Sequence, residues 1–236
     1  MAGETGPVSP WQTATVRTIR AETATAKTFV LDLDRPARYL AGQHYIVRLT
    51  APDGYRAQRS YSVASAPDGG SAIELTIERL PGGEVSTFLH DEVVPGDELD
   101  VRGPIGGWFV WRGDGPALLI GGGSGIVPLM AMLRLARRVR REDVRMVVSV
   151  RSPGDLYYGP ELGEPDSTVV YTRSAPAGSS RPAGHLVGGD LPRVVDTATV
   201  AYICGSSGFV EHATELVMDA GVPDEMVRIE RFGPSG

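Results

Sequence analysis

The stretch that most constrains this chain is residues 116–141, PALLIGGGSGIVPLMAMLRLARRVRR. Residues 117–120 are apolar and bounded by Gly115-Pro116 and Gly121, the length and composition of a strand buried in a parallel sheet. From Ile126 onward, Leu129, Met130, Met132, Leu133 and Leu135 recur at helical spacing while arginines fill the other face, which predicts a helix over 126–141. Pro128 falls in its first turn, where a missing N–H breaks no bond. Between strand and helix, Gly121, Gly122, Gly123 and Gly125 let the backbone approach a ligand, and the helix N-terminus offers free N–H groups to an anion such as a phosphate. Ile126 stands where the G-x-G-x-x-G fingerprint has its last glycine, so the same turn also suits an α/β protein that binds nothing there.

The two sides of this stretch differ. Downstream, strands are expected at 144–150, 168–172, 199–203 and 226–231, with helices near 159–162 and over 207–220, a series that implies a parallel sheet covered on both faces. Upstream, period-two alternation marks strands at 12–20, 28–33, 45–49, 59–64, 72–79 and 99–102, with Phe29, Leu31 and Leu33 on one face; this reads as an antiparallel barrel or sandwich. A short helix begins at Ser86, its expected cap, and His90 is expected to cap its far end. Gly113-Asp114-Gly115 reads as the linker between a domain over 11–112 and another over 113–236. Residues 1–10 are expected to fray and residues 174–184, rich in Ser, Pro, Ala and Gly, to form a flexible loop.

Bulk properties narrow the chemistry. A formal net charge of −6 leaves no basic excess for nucleic acid. No apolar run approaches the ~20 residues that span a bilayer, and the first residues lack signal-peptide character, so a cytoplasmic location is expected. The single cysteine, Cys204, cannot ligate an iron–sulfur cluster, which needs about four, and His44, His90, His185 and His212 show no metal-ligand spacing. Redox chemistry, if present, therefore needs an organic cofactor and no metal. The run Arg134, Arg137, Arg138, Arg140, Arg141 reads as a solvated helix face, with a partner-docking surface as the other reading.

Two further places suit anions. Strand alternation puts Arg59 and Tyr61 on one face and Ser60 and Ser62 on the other, so a cation sits beside an aromatic ring; a surface arginine next to a half-buried tyrosine is the plainer alternative. Gly83-Glu84-Val85-Ser86 offers a second anion site at a helix start, and two anion sites suit a diphosphate. The strands at 144–150 and 168–172 both end in arginine and hydroxyls, Ser149-Val150-Arg151-Ser152 and Thr172-Arg173-Ser174, with Asp155 four residues beyond Arg151. Cys204 lies at the C-terminal end of a parallel strand, the edge where such sheets bind ligands, although a lone cysteine also serves as a small core residue.

Together, Arg59-x-Tyr61-Ser62, Gly83-x-x-Ser86, Gly103-Pro104-x-Gly106, the turn from Gly121 to Pro128, Cys204-Gly205 and Glu230-Arg231-Phe232 resemble the ferredoxin–NADP reductase-like superfamily. The resemblance covers about residues 12 to 234. It implies a six-stranded antiparallel β-barrel binding FAD, followed by an α/β domain whose five-stranded parallel sheet binds NADPH or NADH. By position, Arg59 and Gly83 to Ser86 would hold the FAD pyrophosphate, Tyr61 would lie against the isoalloxazine and Ser62 near its N5, with Ser60, Thr76 and Ile77 also against the flavin. Gly122, Gly123, Ser124 and Gly125 would take the nucleotide pyrophosphate; Cys204 and Gly205 would flank the nicotinamide, the cysteine shaping the pocket rather than acting as nucleophile. Phe232 and Glu230 would cover the flavin. The family usually has threonine where Ser124 stands, and four residues follow Phe232. Thr172-Arg173 resembles the hydroxyl–arginine pair of NADPH-using members, with Arg151 at the end of the neighbouring strand.

The implied activity is hydride transfer from NAD(P)H to FAD, with electrons leaving to a separate acceptor: a ferredoxin, an oxygenase component, free flavin or a quinone. An electron-transfer subunit of a larger oxidoreductase complex, docking through residues 134–141, is the alternative.

Overall fold

The structure, a computed structural model, describes residues 9–163, 165–192 and 198–232. The expected fraying of residues 1–10 falls largely on residues outside these, as do residues 233–236 beyond Phe232.

The upstream alternation folds into six strands, β1 (Gln12–Ala21), β2 (Ala26–Leu33), β3 (His44–Thr50), β4 (Arg56–Ser62), β5 (Ala72–Glu78) and β6 (Glu98–Ile105), with helix α1 (Glu84–Asp91) between the last two. All pairings are antiparallel in the order β4-β3-β6-β1-β2-β5. An antiparallel bridge between Val63 and Leu75, with Ala64 N–H donating to the Glu74 carbonyl at 2.8 Å, brings the end strands together and closes the barrel. Phe29, Leu31 and Leu33 point inward together with Tyr45, Val47, Ile73, Leu75 and Val101, and α1 packs Val85 and Leu89 against them. Each such side chain contributes about 1.5–3 kcal/mol by leaving water.

Helix α1 starts two residues earlier than expected, with Gly83 at the cap position. Ser86 lies inside the first turn, its hydroxyl donating to the Gly83 carbonyl and accepting from Leu80 N–H, both at 3.2 Å. His90 does not cap its own helix: its ring faces the barrel, with Nε2 at 2.9 Å from the Ile77 carbonyl.

Downstream, β7 (Ala117–Gly122), β8 (Val144–Val150), β9 (Ser167–Tyr171), β10 (Val200–Gly205) and β11 (Val227–Arg231) form a parallel sheet in the order β11-β10-β7-β8-β9. Its strands alternate between two cores. Leu118, Ile120, Val147, Ala201 and Ile203 pack on α3 (Ser207–Asp219), whereas Leu119, Met146, Val148, Tyr202 and Cys204 pack on α2 (Ile126–Arg138). The segment expected to be a helix near 159–162 is a single 3-10 turn, Gly159–Glu161.

Helix α2 departs from the expected amphipathic pattern. Nine of its 13 residues are buried, because it lies between the parallel sheet and the barrel residues Ala26, Ala41 and Ala64. It stops at Arg138 rather than 141: Arg140 turns left-handed (φ 58), and Arg141 N–H bonds back to the Ala136 carbonyl at 2.9 Å.

The arginines are a solvated face only in part: Arg138 and Arg140 are exposed as expected, and the other three are paired. Arg134 donates to Glu161, Glu74 and the Ala64 carbonyl, Arg137 pairs with Asp166, and Arg141 pairs with Asp143. Residues 174–184 are likewise tied down, since Arg181 grips Asp190 through Nε and Nη2 and donates to the His185 carbonyl.

Candidate functional site

From the middle strand β7 the chain adds β8 and β9 on one side and then β10 and β11 on the other, so the strand order reverses between β7 and β10, and the crevice beyond their C-terminal ends is where open α/β sheets bind ligands. The turn after β7 and the end of β10 are in contact there. A Cβ on Gly125 would lie 2.2 Å from the Cys204 carbonyl oxygen, and one on Gly122 or Gly205 would lie 2.6 Å from the Phe209 ring. These three glycines are therefore required by protein packing, not by ligand approach alone. Gly123 differs: it is exposed, left-handed (φ 55), and a Cβ there would meet nothing. Along the turn Gly123 is exposed and Gly122 and Ser124 are half-buried, whereas Gly121 and Gly125 are buried, so Gly122 to Ser124 are the residues open to a phosphate.

Glu230 and Cys204 are register partners on β11 and β10. Glu230 Oε2 is buried with no hydrogen-bond partner among the described residues, and burial pushes this carboxyl up to about 7. Burial, reinforced by the Glu230 charge, raises the Cys204 thiol well above its ordinary value, so it stays protonated. The chain then returns over this edge: Phe232 N–H donates to the Gly205 carbonyl at 2.9 Å and its ring packs on the core beside Cys204. Gly122 to Gly125, Cys204, Gly205, Glu230 and Phe232, far apart in sequence, thus share one edge. The orphaned Glu230 oxygen is an acceptor lacking a donor, which fits a carboxamide-bearing nicotinamide nucleotide.

Two strands away, Thr172 N–H bonds the Val150 carbonyl at 2.8 Å and Arg173 N–H the Arg151 carbonyl at 2.9 Å, so Arg151, Thr172 and Arg173 are neighbours at the same sheet edge. Both arginines are exposed. Asp155 is occupied by the Ser152 hydroxyl at 2.5 Å.

On the barrel, α1 packs beside β4, which brings the two expected anion sites together. Arg59 is exposed and, among the described residues, its guanidinium donates only to the adjacent Gln58 carbonyl, at 2.7 Å. Gly83 supplies no capping side chain to the α1 N-terminus, and Tyr55 hydroxyl bridges the hairpin before β4 to Glu84 at 3.2 Å. Ser60 is exposed, Ser62 buried, and Tyr61 packs partly on the barrel core, where burial raises its pKa. A free cation, uncapped helix N–H groups and a half-exposed ring fit a flavin diphosphate. Thr76 and Ile77 do not join them through their side chains: Ile77 is in the barrel core, and the Thr76 hydroxyl bonds Thr28 at 2.7 Å and receives the Tyr158 hydroxyl.

Sequence reasoning missed Glu22, Glu74, Tyr158 and Glu161, which with Arg134 join barrel to sheet. A cavity of about 570 Å³ opens among them, lined also by Arg20 and Arg138.

Residues 13–110 match the family model of the oxidoreductase FAD-binding domain and residues 119–215 that of the oxidoreductase NAD-binding domain. The chain is 30% identical over 233 residues to the ferredoxin–NAD(P)(+) reductase component of naphthalene 1,2-dioxygenase/salicylate 5-hydroxylase systems from Ralstonia sp., covering 94% of this chain and 69% of that one. It is 33% identical over 205 residues to a flavohemoprotein of Pseudomonas putida, covering 82% and 51%. Its fold superposes on the FAD/NAD-binding domain of nitric oxide dioxygenase from Vibrio cholerae with a TM-score of 0.84 at 24% identity, covering 94% of this chain and 99% of that domain. Fold and matches define a two-domain flavin- and nicotinamide-binding oxidoreductase. The chain belongs to the ferredoxin–NADP reductase-like family, with an FAD-binding barrel and an NAD(P)-binding sheet. It spans 69, 51 and 65% of the length of the first three curated relatives. No helix among the described residues is long and apolar enough to cross a membrane.

Proposed function

We propose that this chain oxidises NAD(P)H at its own flavin and hands the electrons to a separate acceptor, as a ferredoxin or an oxygenase component would be. The observation that carries this reading is the edge where Gly123, Cys204, Glu230 and Phe232 meet, built on an NAD-binding sheet that packs directly on an FAD-binding barrel. FAD held there would supply the redox chemistry, since a flavin can take up a hydride, two electrons and one proton, and release the electrons singly. The chain's own residues position the reactants. Arg59 and the α1 N-terminus neutralise the FAD diphosphate, Tyr61 supports the ring, and Gly123 with Ser124 receives the nucleotide pyrophosphate. Cys204 walls the nicotinamide pocket, Glu230 accepts from its carboxamide, and Phe232 shields the site from water. The division into a flavin domain over 11–112 and a nucleotide domain over 113–236 belongs to the same proposal.

NADPH is the proposed nucleotide. Arg151, Thr172 and Arg173 present two exposed cations and a hydroxyl at the sheet edge, while Asp155 is turned to Ser152. The test is kcat/KM for both nucleotides in wild type and Arg173→Ala. A loss of NADPH preference in the variant is expected; a preference that survives unchanged removes Arg173 as its source.

A further inference from the structure

Hydride transfer, on the reading just given, depends on how the parallel sheet is seated on the barrel. The apolar part of that seat sets the small side chains of Ala26, Ala41 and Ala64 against α2 and Phe109 edge-on against Tyr202 of β10, whose hydroxyl donates to the Val110 carbonyl at 2.9 Å. The polar part is specific. Tyr158, 2% exposed, holds a left-handed backbone (φ 56, ψ 28) between β8 and β9, a conformation that a tyrosine keeps only where its surroundings impose it. That backbone aims its N–H at Glu22 Oε2 of the β1–β2 hairpin, 3.0 Å away and 136 residues earlier in the chain.

The remaining bonds form a directed circuit. Tyr158 hydroxyl donates to Thr76 Oγ1, and Thr28 Oγ1 donates to Glu22 Oε1 at 2.7 Å. Because the Thr28 proton is committed to Glu22, Thr76 must be the donor in the 2.7 Å bond between the two threonines. Every proton therefore points toward one carboxylate, which Arg20 also contacts at 3.0 Å. Glu22 receives three donors and its side chain is only 7% exposed. An acceptor-only group at position 22 satisfies the circuit, whereas an amide would put a donor against a donor. Arg134 closes the cluster, its guanidinium 5.0 Å from the Tyr158 ring centroid and bonded to Ala64, Glu74 and Glu161.

We infer that Glu22 and Tyr158 form a latch that fixes the sheet's orientation on the barrel, making both positioning residues for hydride transfer; this rests on the oxidoreductase reading above. A displacement of ~1 Å between reacting groups costs up to about a hundredfold in rate, so a loosened seat should be visible kinetically.

The test compares wild type, Tyr158→Phe and Glu22→Gln in the flavin-loaded chain. Spin labels at Glu98→Cys on the barrel and Glu211→Cys on α3, with Cys204 buried, report the interdomain distance. Wild type should give one narrow distribution and Glu22→Gln a broadened one. In stopped flow, NADPH-dependent flavin reduction should slow at least about tenfold in Glu22→Gln and less in Tyr158→Phe, which keeps the ring. Reoxidation of chemically reduced flavin by ferricyanide, which needs no nucleotide domain, should be unchanged. An unaltered distance distribution overturns the latch. Broadening without slower reduction overturns the positioning role, as does equal slowing of both half-reactions with loss of flavin, the mark of a merely structural defect. If wild type is reduced by neither nucleotide, the oxidoreductase reading fails and the positioning role with it, while the distances still report on the latch.

Discussion

Replacing Glu230 by glutamine should stabilise the protein above neutral pH and do little below it. The carboxyl sits on β11 beside Cys204 with one oxygen buried and unpartnered among the described residues, and burial pushes its pKa up to about 7 from an ordinary 4.5. A tenfold change in proton affinity is about 1.36 kcal/mol, so charging this group in the folded state costs about 3 kcal/mol at most. Solvent reaching a half-buried residue lowers that to about 1–3 kcal/mol. The sign follows from the direction of the shift. The folded state binds the proton more tightly than the unfolded chain, so the favourable contribution is complete below the unfolded value near 4.5 and is lost as pH rises through about 7. Glutamine is neutral throughout, and any misfit of its amide is the same at every pH. Urea unfolding of wild type and Glu230→Gln, matched for flavin content, at about pH 4.5 and about pH 8.5 isolates the difference. The variant should gain about 1–3 kcal/mol relative to wild type between the two. A stability difference that does not change with pH, or one that moves in favour of wild type as pH rises, would refute a buried, unpaired carboxyl at this edge.

Three other expectations are simpler. Gly125→Ala drives a Cβ into the Cys204 carbonyl and should cost about 3 kcal/mol or more, whereas Gly123→Ala meets open space and should cost only the left-handed backbone's ~1 kcal/mol; thermal unfolding of the two variants ranks them. Cys204 should resist iodoacetamide at about pH 8 in the folded protein and react after unfolding, and rapid native-state alkylation would contradict its burial as a thiol. Arg59→Ala should lose roughly 1.5–3 kcal/mol of FAD affinity, read as flavin content and dissociation constant, and full occupancy would remove Arg59 from the site.

Where burial was one-sided, the sequence announced the fold. Phe29, Leu31 and Leu33 alternate because one face of β2 meets a core, and residues 117–120 are apolar throughout because β7 meets a core on each face. Helix α2 was only partly legible. Its arginines look solvated in sequence, yet Arg134 and Arg137 lay their stems along buried surface and place their heads against carboxylates 27 to 60 residues away. The glycine turn showed its position but not its cause, since packing against Cys204 and Phe209 selects glycine as strongly as a phosphate does. Ser86 resembles a cap in sequence because the local pattern does not reveal that Gly83 already occupies that place. Tyr158 gave no signal at all: its partner Glu22 lies in a hairpin of the other domain, and nothing in Tyr157-Tyr158-Gly159-Pro160 marks a left-handed tyrosine.

The central claim is that nicotinamide and flavin exchange a hydride within this one chain. Anaerobic titration of the flavin-loaded protein with NADPH and, separately, NADH tests it most directly, by following flavin absorbance. Bleaching of the oxidised flavin bands at about one nucleotide per flavin, faster with NADPH, is the predicted result. A protein that binds flavin yet keeps those bands unchanged under excess of either nucleotide would contradict the claim.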